Sequence, residues 1–181
     1  MTDARMTLRA MPFVFEPSNE HWNPGHWNAA RPEFSQVVNS ASLAMPFLEP
    51  YLIRSMRAAR GKITDPALLA DLDLYIRQEA AHYKQHQLFN ETLRSAGYTC
   101  IDAIEKQLAA DYSKLEKECS LRFNLAYAEG FEAMALAIGQ MLIEDRVHLF
   151  GDSKPAVASL VLWHFVEEIE HKSVAYDVLH H

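Results

Sequence analysis

The sequence predicts an all-α fold, four long helices packed as a bundle beneath an extended N-terminal arm. Three observations carry that expectation. Apolar residues recur at alternating spacings of three and four over long stretches, the period of a helix that buries one face. Glycine is scarce, 6 in 181 residues, so turn signals lie far apart. Pro66 and Pro155 stand where helices begin, a position proline tolerates because the first turn needs no backbone donor.

Residues 1–33 differ from the rest. Pro12, Pro17, Pro24 and Pro32 punctuate a stretch that also holds Phe13, Phe15, Trp22 and Trp27. So many large apolar side chains argue against a disordered leader, and the segment reads as an aromatic, proline-rich arm packed on the bundle. The bundle takes 34–181. Its first helix spans about 34 to 60, with Val38, Met45, Glu49, Leu52, Met56 and Ala59 inward and Gly61 as terminator. Pro46 and Pro50 flank Glu49 and predict a kink. The second helix opens on Thr64 or Asp65 as cap and ends near Gly97. A helical connection of about 101–117 leads to a third helix of about 119–149. Gly151 and Asp152 turn the chain, Ser153 is a candidate cap, and a fourth helix runs from Pro155 to His181.

Composition narrows the function. The chain is 49% hydrophobic and 23% charged, as in ordinary globular domains. A net charge of -7 argues against a phosphate-backbone binder, so no nucleic acid is expected. No apolar run approaches the roughly 20 residues that cross a bilayer, and no membrane role is expected. Asp3 and Arg9 interrupt any signal-peptide pattern. Cys100 and Cys119 fit no zinc or redox motif and read as reduced thiols of a cytoplasmic protein.

The predicted core carries ionisable residues. In the second helix the inward seam is Leu68, Leu72, Tyr75, Glu79, His82, His86, Phe89 and Leu93, with Glu-x-x-His-x-x-x-His at its middle. In the fourth it is Val157, Val161, His164, Glu168, His171, Ala175 and Val178, carrying His-x-x-x-Glu-x-x-His. Glu79, His82 and His86 fall within about 60° of one another on the helix, as do His164, Glu168 and His171. Unpaired carboxylates and imidazoles are costly to bury unless something compensates them, and a metal pair would. A Glu-x-x-His from each of two helices plus one Glu from each of the others is the di-iron or di-manganese arrangement of ferritin-like bundles. One such motif is weak; two on inward seams, each with a third histidine in phase, are far more specific.

The single carboxylates follow. Glu49 is the only acid in the middle of the first helix. In the third, the seam Leu121, Leu125, Ala128, Glu132, Ala135, Gly139 and Leu142 selects Glu132, and its small residues leave room for a substrate. Glu129, one turn away, is a second ligand or a proton relay. The expected metal ligands are therefore Glu49, Glu79, His82, His86, Glu132, His164, Glu168 and His171. Glu132 and Glu129 are the expected catalytic carboxylates, one of them bridging the metals with a further carboxylate. Plainer readings compete: Glu49 as a surface acid, His86 as a core histidine on a carbonyl, His164 as packing between Trp163 and Phe165. Glu167 and Glu170 read as ion-pair or histidine-orienting residues, with Arg54, Arg77, Arg122 and Lys172 as available partners.

Mixed carboxylate and imidazole ligands suit Fe, Mn or Zn better than Ca or Mg. Two Fe ions are expected, with Mn or Zn as alternatives. Iron would activate dioxygen to oxidise a small organic substrate. Zinc or manganese would serve a hydrolase through a metal-bound hydroxide, and an iron-binding bundle without turnover is the third reading. A homodimer is compatible with such bundles, although no exposed stripe points to one.

The passages Arg77-Gln-Glu-Ala-Ala-His82-Tyr-Lys-Gln-His86 and Trp163-His-Phe-Val-Glu-Glu-Ile-Glu-His171-Lys-Ser-Val-Ala-Tyr-Asp177 resemble the bacterial family of predicted metal-dependent hydrolases of the ferritin-like superfamily. The resemblance extends from the aromatic arm to the last residue. His164-x-x-x-Glu168-x-x-His171 is also similar to the seven-ligand pattern of di-iron arylamine N-oxygenases, in which an extra histidine joins four Glu and two His. That resemblance implies Glu49, Glu79, His82, Glu132, His164, Glu168 and His171 as ligands. His86 departs from the pattern as an additional in-phase histidine.

Overall fold

Pro32 opens the first helix, α1 (Pro32–Ala59), in the computed structural model, which describes residues 6–16 and 23–181. Pro17 and Trp22 of the predicted arm lie outside the described residues. α1 runs on through Pro46 and Pro50. A proline cannot donate to the carbonyl four residues back, and for Pro46 that carbonyl belongs to Ser42. Asn90 supplies the missing donor, its side-chain amide donating to the Ser42 carbonyl at 2.9 Å. The helix then tightens into a 3-10 turn, Arg60–Lys62, so Gly61 sits within a turn rather than at the helix end.

Asp65, not Thr64, caps α2 (Pro66–Ser95), its carboxylate accepting from the Ala67 amide. Gly97, with φ +92°, ends this segment in a conformation that side chains rarely adopt. α3 (Ile101–Glu118) packs against α1, where the Tyr112 and Tyr51 rings lie 5.2 Å apart.

Two predicted helices are interrupted. The third was expected to run to 149, but α4 (Leu121–Glu144) stops at Asp145 and a short α5 (Arg146–Phe150) follows. The break turns Phe150 into an aromatic cluster, 6.2 Å from Trp27 and 5.2 Å from Phe34. The fourth was expected to reach His181, but α6 (Pro155–Glu170) ends at His171 and α7 (Val174–His180) resumes after Ser173. That turn lets α7 pack on α4 and α2. The seam keeps its phase across it, because His171, Ala175 and Val178 are all buried.

α1 packs along α2 and α4 along α6, with α1–α4 and α2–α6 contacts closing the all-helical core. Gly139 permits the α4–α6 approach, since a Cβ there would lie 3.1 Å from the Phe165 ring. Two apolar clusters form the interior. One holds Leu52, Met56, Leu72, Tyr75, Ala128 and Ala175; the other holds Trp27, Leu43, Phe89, Leu142, Leu160 and Trp163. The sequence places the ionisable residues between them. From the arm, Phe13 reaches Trp163 at 5.5 Å and Phe15 reaches Phe89 at 5.3 Å. Among the described residues the one strand-like feature is an isolated bridge, Asn28 to Ser153. None of the described helices is long and apolar enough to cross a membrane.

Phe89 is fully buried where α2 meets the arm. Phe89→Ala is expected to destabilise the protein by about 3–5 kcal/mol in chemical denaturation. A loss below about 1 kcal/mol would show that this face is not a packed core.

Candidate metal centre

Glu49 comes from α1, Glu79, His82 and His86 from α2, Glu132 from α4, His164 and Glu168 from α6, and His171 from the turn beyond it. All eight are buried. Their atoms form four overlapping groups, each within 4.8 Å: Glu49–His86–His164, His82–His164–Glu168, Glu79–Glu132–Glu168–His171 and Glu49–Glu79–His82. Glu168 reaches both sides of the box. One oxygen lies 3.0 Å from His164 Nε2 and 3.5 Å from His82 Nδ1, the other 3.3 Å from His171 Nε2. Glu79 Oε1 likewise lies 3.5 Å from His82 and 3.4 Å from His171. Glu132 meets His171 at 3.2 Å and accepts from the Tyr75 hydroxyl at 2.7 Å. Glu129 is half-buried and falls outside all four groups.

The electrostatics are those of a site short of positive charge. Among the described residues no Lys or Arg pairs with Glu49, Glu79, Glu132 or Glu168; their ion-pair partners are the histidines. Burial and the neighbouring carboxylates push Glu49 well above the usual carboxylate range and Glu132 up to about 8. Burial opposes charge on His82 and His171, but the surrounding carboxylates outweigh it and raise both. Glu168 is also opposed by burial, yet His171, His164 and His82 hold it well below its ordinary value. Burial keeps His86 and His164 low, hence neutral. Both oxygens of Glu49, both of Glu79, His82 Nδ1 and one oxygen of Glu168 are buried without a hydrogen-bond partner. Orphaned buried acceptors of this kind are what bound cations would satisfy. The donor set therefore fits a metal pair.

The far sides of the imidazoles are all engaged. His82 Nε2 donates to Glu167 at 3.0 Å, and Glu167 also accepts from Trp163 Nε1 and from the Arg9 backbone and side chain. His171 Nδ1 donates to the Gln78 carbonyl oxygen at 3.2 Å, whose amide donates in turn to the Thr7 carbonyl. His164 Nδ1 lies 2.7 Å from His86 Nε2, and His86 Nδ1 lies 2.8 Å from the Ser42 hydroxyl. That hydroxyl donates to Asn90 Oδ1 at 2.7 Å. One proton per link satisfies the chain: His164 donates to His86, His86 to Ser42 and Ser42 to Asn90. His164 Nε2, which donates to Glu168 at 3.0 Å when no cation is bound, would then turn a lone pair inward to a bound cation. Such partners fix the tautomer of a ligating histidine.

The eight residues predicted as ligands are thus brought together, whereas Glu129 is not. The plainer reading fails on geometry for Glu49, whereas His86 is a core histidine with both ring nitrogens engaged. Glu49 is fully buried, and His86 bonds a histidine and a serine rather than a carbonyl. Glu167 orients His82, but its cationic partner is Arg9 of the arm, not Arg54, Arg77, Arg122 or Lys172. Gln78, Ser42 and Asn90 were also missed. Asn90 carried a signal, one turn after His86 on the same face; Arg9 carried none.

A family model described as predicted metal-dependent hydrolase matches residues 7–181. No curated protein and no solved structure matches.

Without metal, folded Glu49, Glu132, His82 and His171 hold protons that the unfolded chain releases at lower pH. The folded state then binds more protons than the unfolded one above about pH 6.5, and stability must fall as pH rises. Glu168 acts in the opposite sense only below the ordinary carboxylate range. His86 and His164 contribute no slope above the ordinary histidine value. Metal-free protein is expected to denature at lower urea at about pH 8.5 than at about pH 6.5, and added metal should flatten that slope by displacing protons. A midpoint that rises across the same window would contradict this.

Proposed function

The chain belongs to the family of predicted metal-dependent hydrolases, and we propose that its buried box holds two divalent ions and serves hydrolysis of a small organic substrate. The observation that carries the metal centre is the set of orphaned inward atoms of Glu49, Glu79, His82 and Glu168, opposed by imidazoles whose outer nitrogens are all engaged. Glu79 and Glu168, each facing histidines on both sides of the box, would help to hold the metals together with Glu132. His171, His82, His164 and Glu49 would complete the donor set. His86, with both ring nitrogens engaged, would act from outside as the partner of His164.

Bound there, the metals would supply Lewis acidity and a water activated near neutral pH. The protein's own contribution is positional. Tyr75 holds Glu132, Glu167 holds His82, Gln78 holds His171 and His86 holds His164. The apolar clusters on either side keep bulk water from these charges.

A second reading has its own observation. One Glu each from α1 and α4, with one Glu-x-x-His from α2 and one that starts in α6 and ends in the turn after it, supports a ferritin-like bundle, with residues 1–33 as arm and 34–181 as bundle. That donor set favours two Fe ions and oxidation of the substrate by dioxygen.

Elemental analysis is expected to give about two metal ions per chain, lost in Glu79→Ala and His171→Ala. Zinc- or manganese-supported turnover of uncharged esters without oxygen is the expected activity. Turnover only with ferrous iron and oxygen would replace hydrolysis by the second reading, and no metal after reconstitution would overturn both. Glu167→Ala, which removes the outer partner of His82, should weaken metal binding about 10–100-fold in chelator competition while leaving helix content unchanged. Unaltered affinity would show that Glu167 does not position the ligand.

A further inference from the structure

A cavity of about 200 Å³ opens between α1, α4 and α6. Its floor includes Ser42, Met45, Val161, Leu142, His86 and His164, so it ends on the histidine pair at one side of the metal box. Its walls are Phe34, Val38 and Phe165, and its mouth is rimmed by Val37, Ile138 and Met141, which are exposed. Among the described residues no Lys, Arg, Asp or Glu lines it.

Three features give this cavity a chemistry. His86 and His164 are committed to each other, and the Ser42 hydroxyl to Asn90 and His86, so the polar groups on the floor are already engaged. A charged or strongly polar guest would give up its hydration and find nothing in return. An apolar guest would release water from both surfaces. The size sets the scale, since an apolar cavity of about 150 Å³ takes up benzene. Apolar side chains left exposed around the mouth are also where a binding site is expected on a soluble surface.

We propose that this cavity is the substrate-binding site of the metal centre, and that the substrate presents an uncharged apolar group of about one ring or a short branched chain. The reactive end would lie against His164 and the apolar end towards Met141. Ser42, His86 and His164 set the inner limit, and Phe34 and Phe165 set the width. The assignment rests on the metal-dependent reading above for the identity of its inner end. The cavity itself does not depend on which reaction the metals serve.

The test is a titration of zinc-loaded full-length protein carrying ¹³C-methyl methionine with toluene, with benzoate as the charged control. Saturable shifts are expected at Met45 and Met141, with benzoate at least about 10-fold weaker. Ala41→Trp, at an exposed position of the cavity lining, should abolish the Met45 shift while zinc content and helix content stay unchanged. Ile138→Trp, from the opposite wall, should do the same. Absence of a saturable Met45 shift, or benzoate binding as well as toluene, would overturn the proposal. So would a dimer dissociated by Met141→Glu with no toluene binding in either form, because a second copy would then be the occupant. Normal toluene binding without ester turnover removes hydrolysis and leaves the site standing. Ester turnover without toluene binding does the reverse.

Discussion

Four carboxylates share one buried interior where, among the described residues, no lysine or arginine pairs with them, and the rest of the structure is arranged around that imbalance. Glu49, Glu79, Glu132 and Glu168 come from α1, α2, α4 and α6, so each of these four helices brings negative charge into the core. Like charges at this range in a low-dielectric setting repel strongly, and the apolar clusters on either side leave little water to screen them. The protein can relieve the repulsion by keeping protons on Glu132 and Glu49 and on His82 and His171, or by admitting cations. The first solution leaves acceptors unsatisfied; the second satisfies them. Burial of this kind is a poor way to gain stability, and the groups it brings together could hold metal ions.

The centre is also tied to a segment far from it in sequence. Arg9 pairs with Glu167, and Glu167 accepts from His82; the Thr7 carbonyl accepts from Gln78, and Gln78 accepts from His171. Two of the three inward histidines are thus oriented through residues that the arm holds in turn. Phe13 and Phe15 anchor that arm on Trp163 and Phe89, beside the same helices. The aromatic side chains supply the adhesion, and the polar contacts between them set the alignment.

Much of this was legible in the sequence because helix packing has a period. Every residue of the α2 seam from Leu68 to Leu93 is buried, and so is every residue of the seam from Val157 to Val178. Periodicity selected Glu132 over Glu129 for the same reason. It could not see the break after Glu170, because the turn at His171 preserves the phase of the seam while redirecting the axis. Nor could it see Arg9 or Thr7, whose contacts join residues more than 150 positions apart or run through Gln78 on another helix. Ser42 lies in phase with the α1 seam between Val38 and Met45, but a hydroxyl falls outside the ligand pattern, and its task of holding His86 depends on a neighbour from another helix.

Pro46 joins these themes from outside the centre. By withholding a donor from the Ser42 carbonyl it gives the Asn90 amide a fixed place, and the other end of that amide receives the Ser42 hydroxyl on which His86 rests. An irregularity in α1 therefore acts as the anchor of a relay that ends at His164. Positions 46 and 90 are thus coupled through one carbonyl, that of Ser42. A residue with a backbone donor at 46 would compete with the Asn90 amide for that carbonyl, and a change at 90 would loosen the Ser42 hydroxyl on which His86 rests.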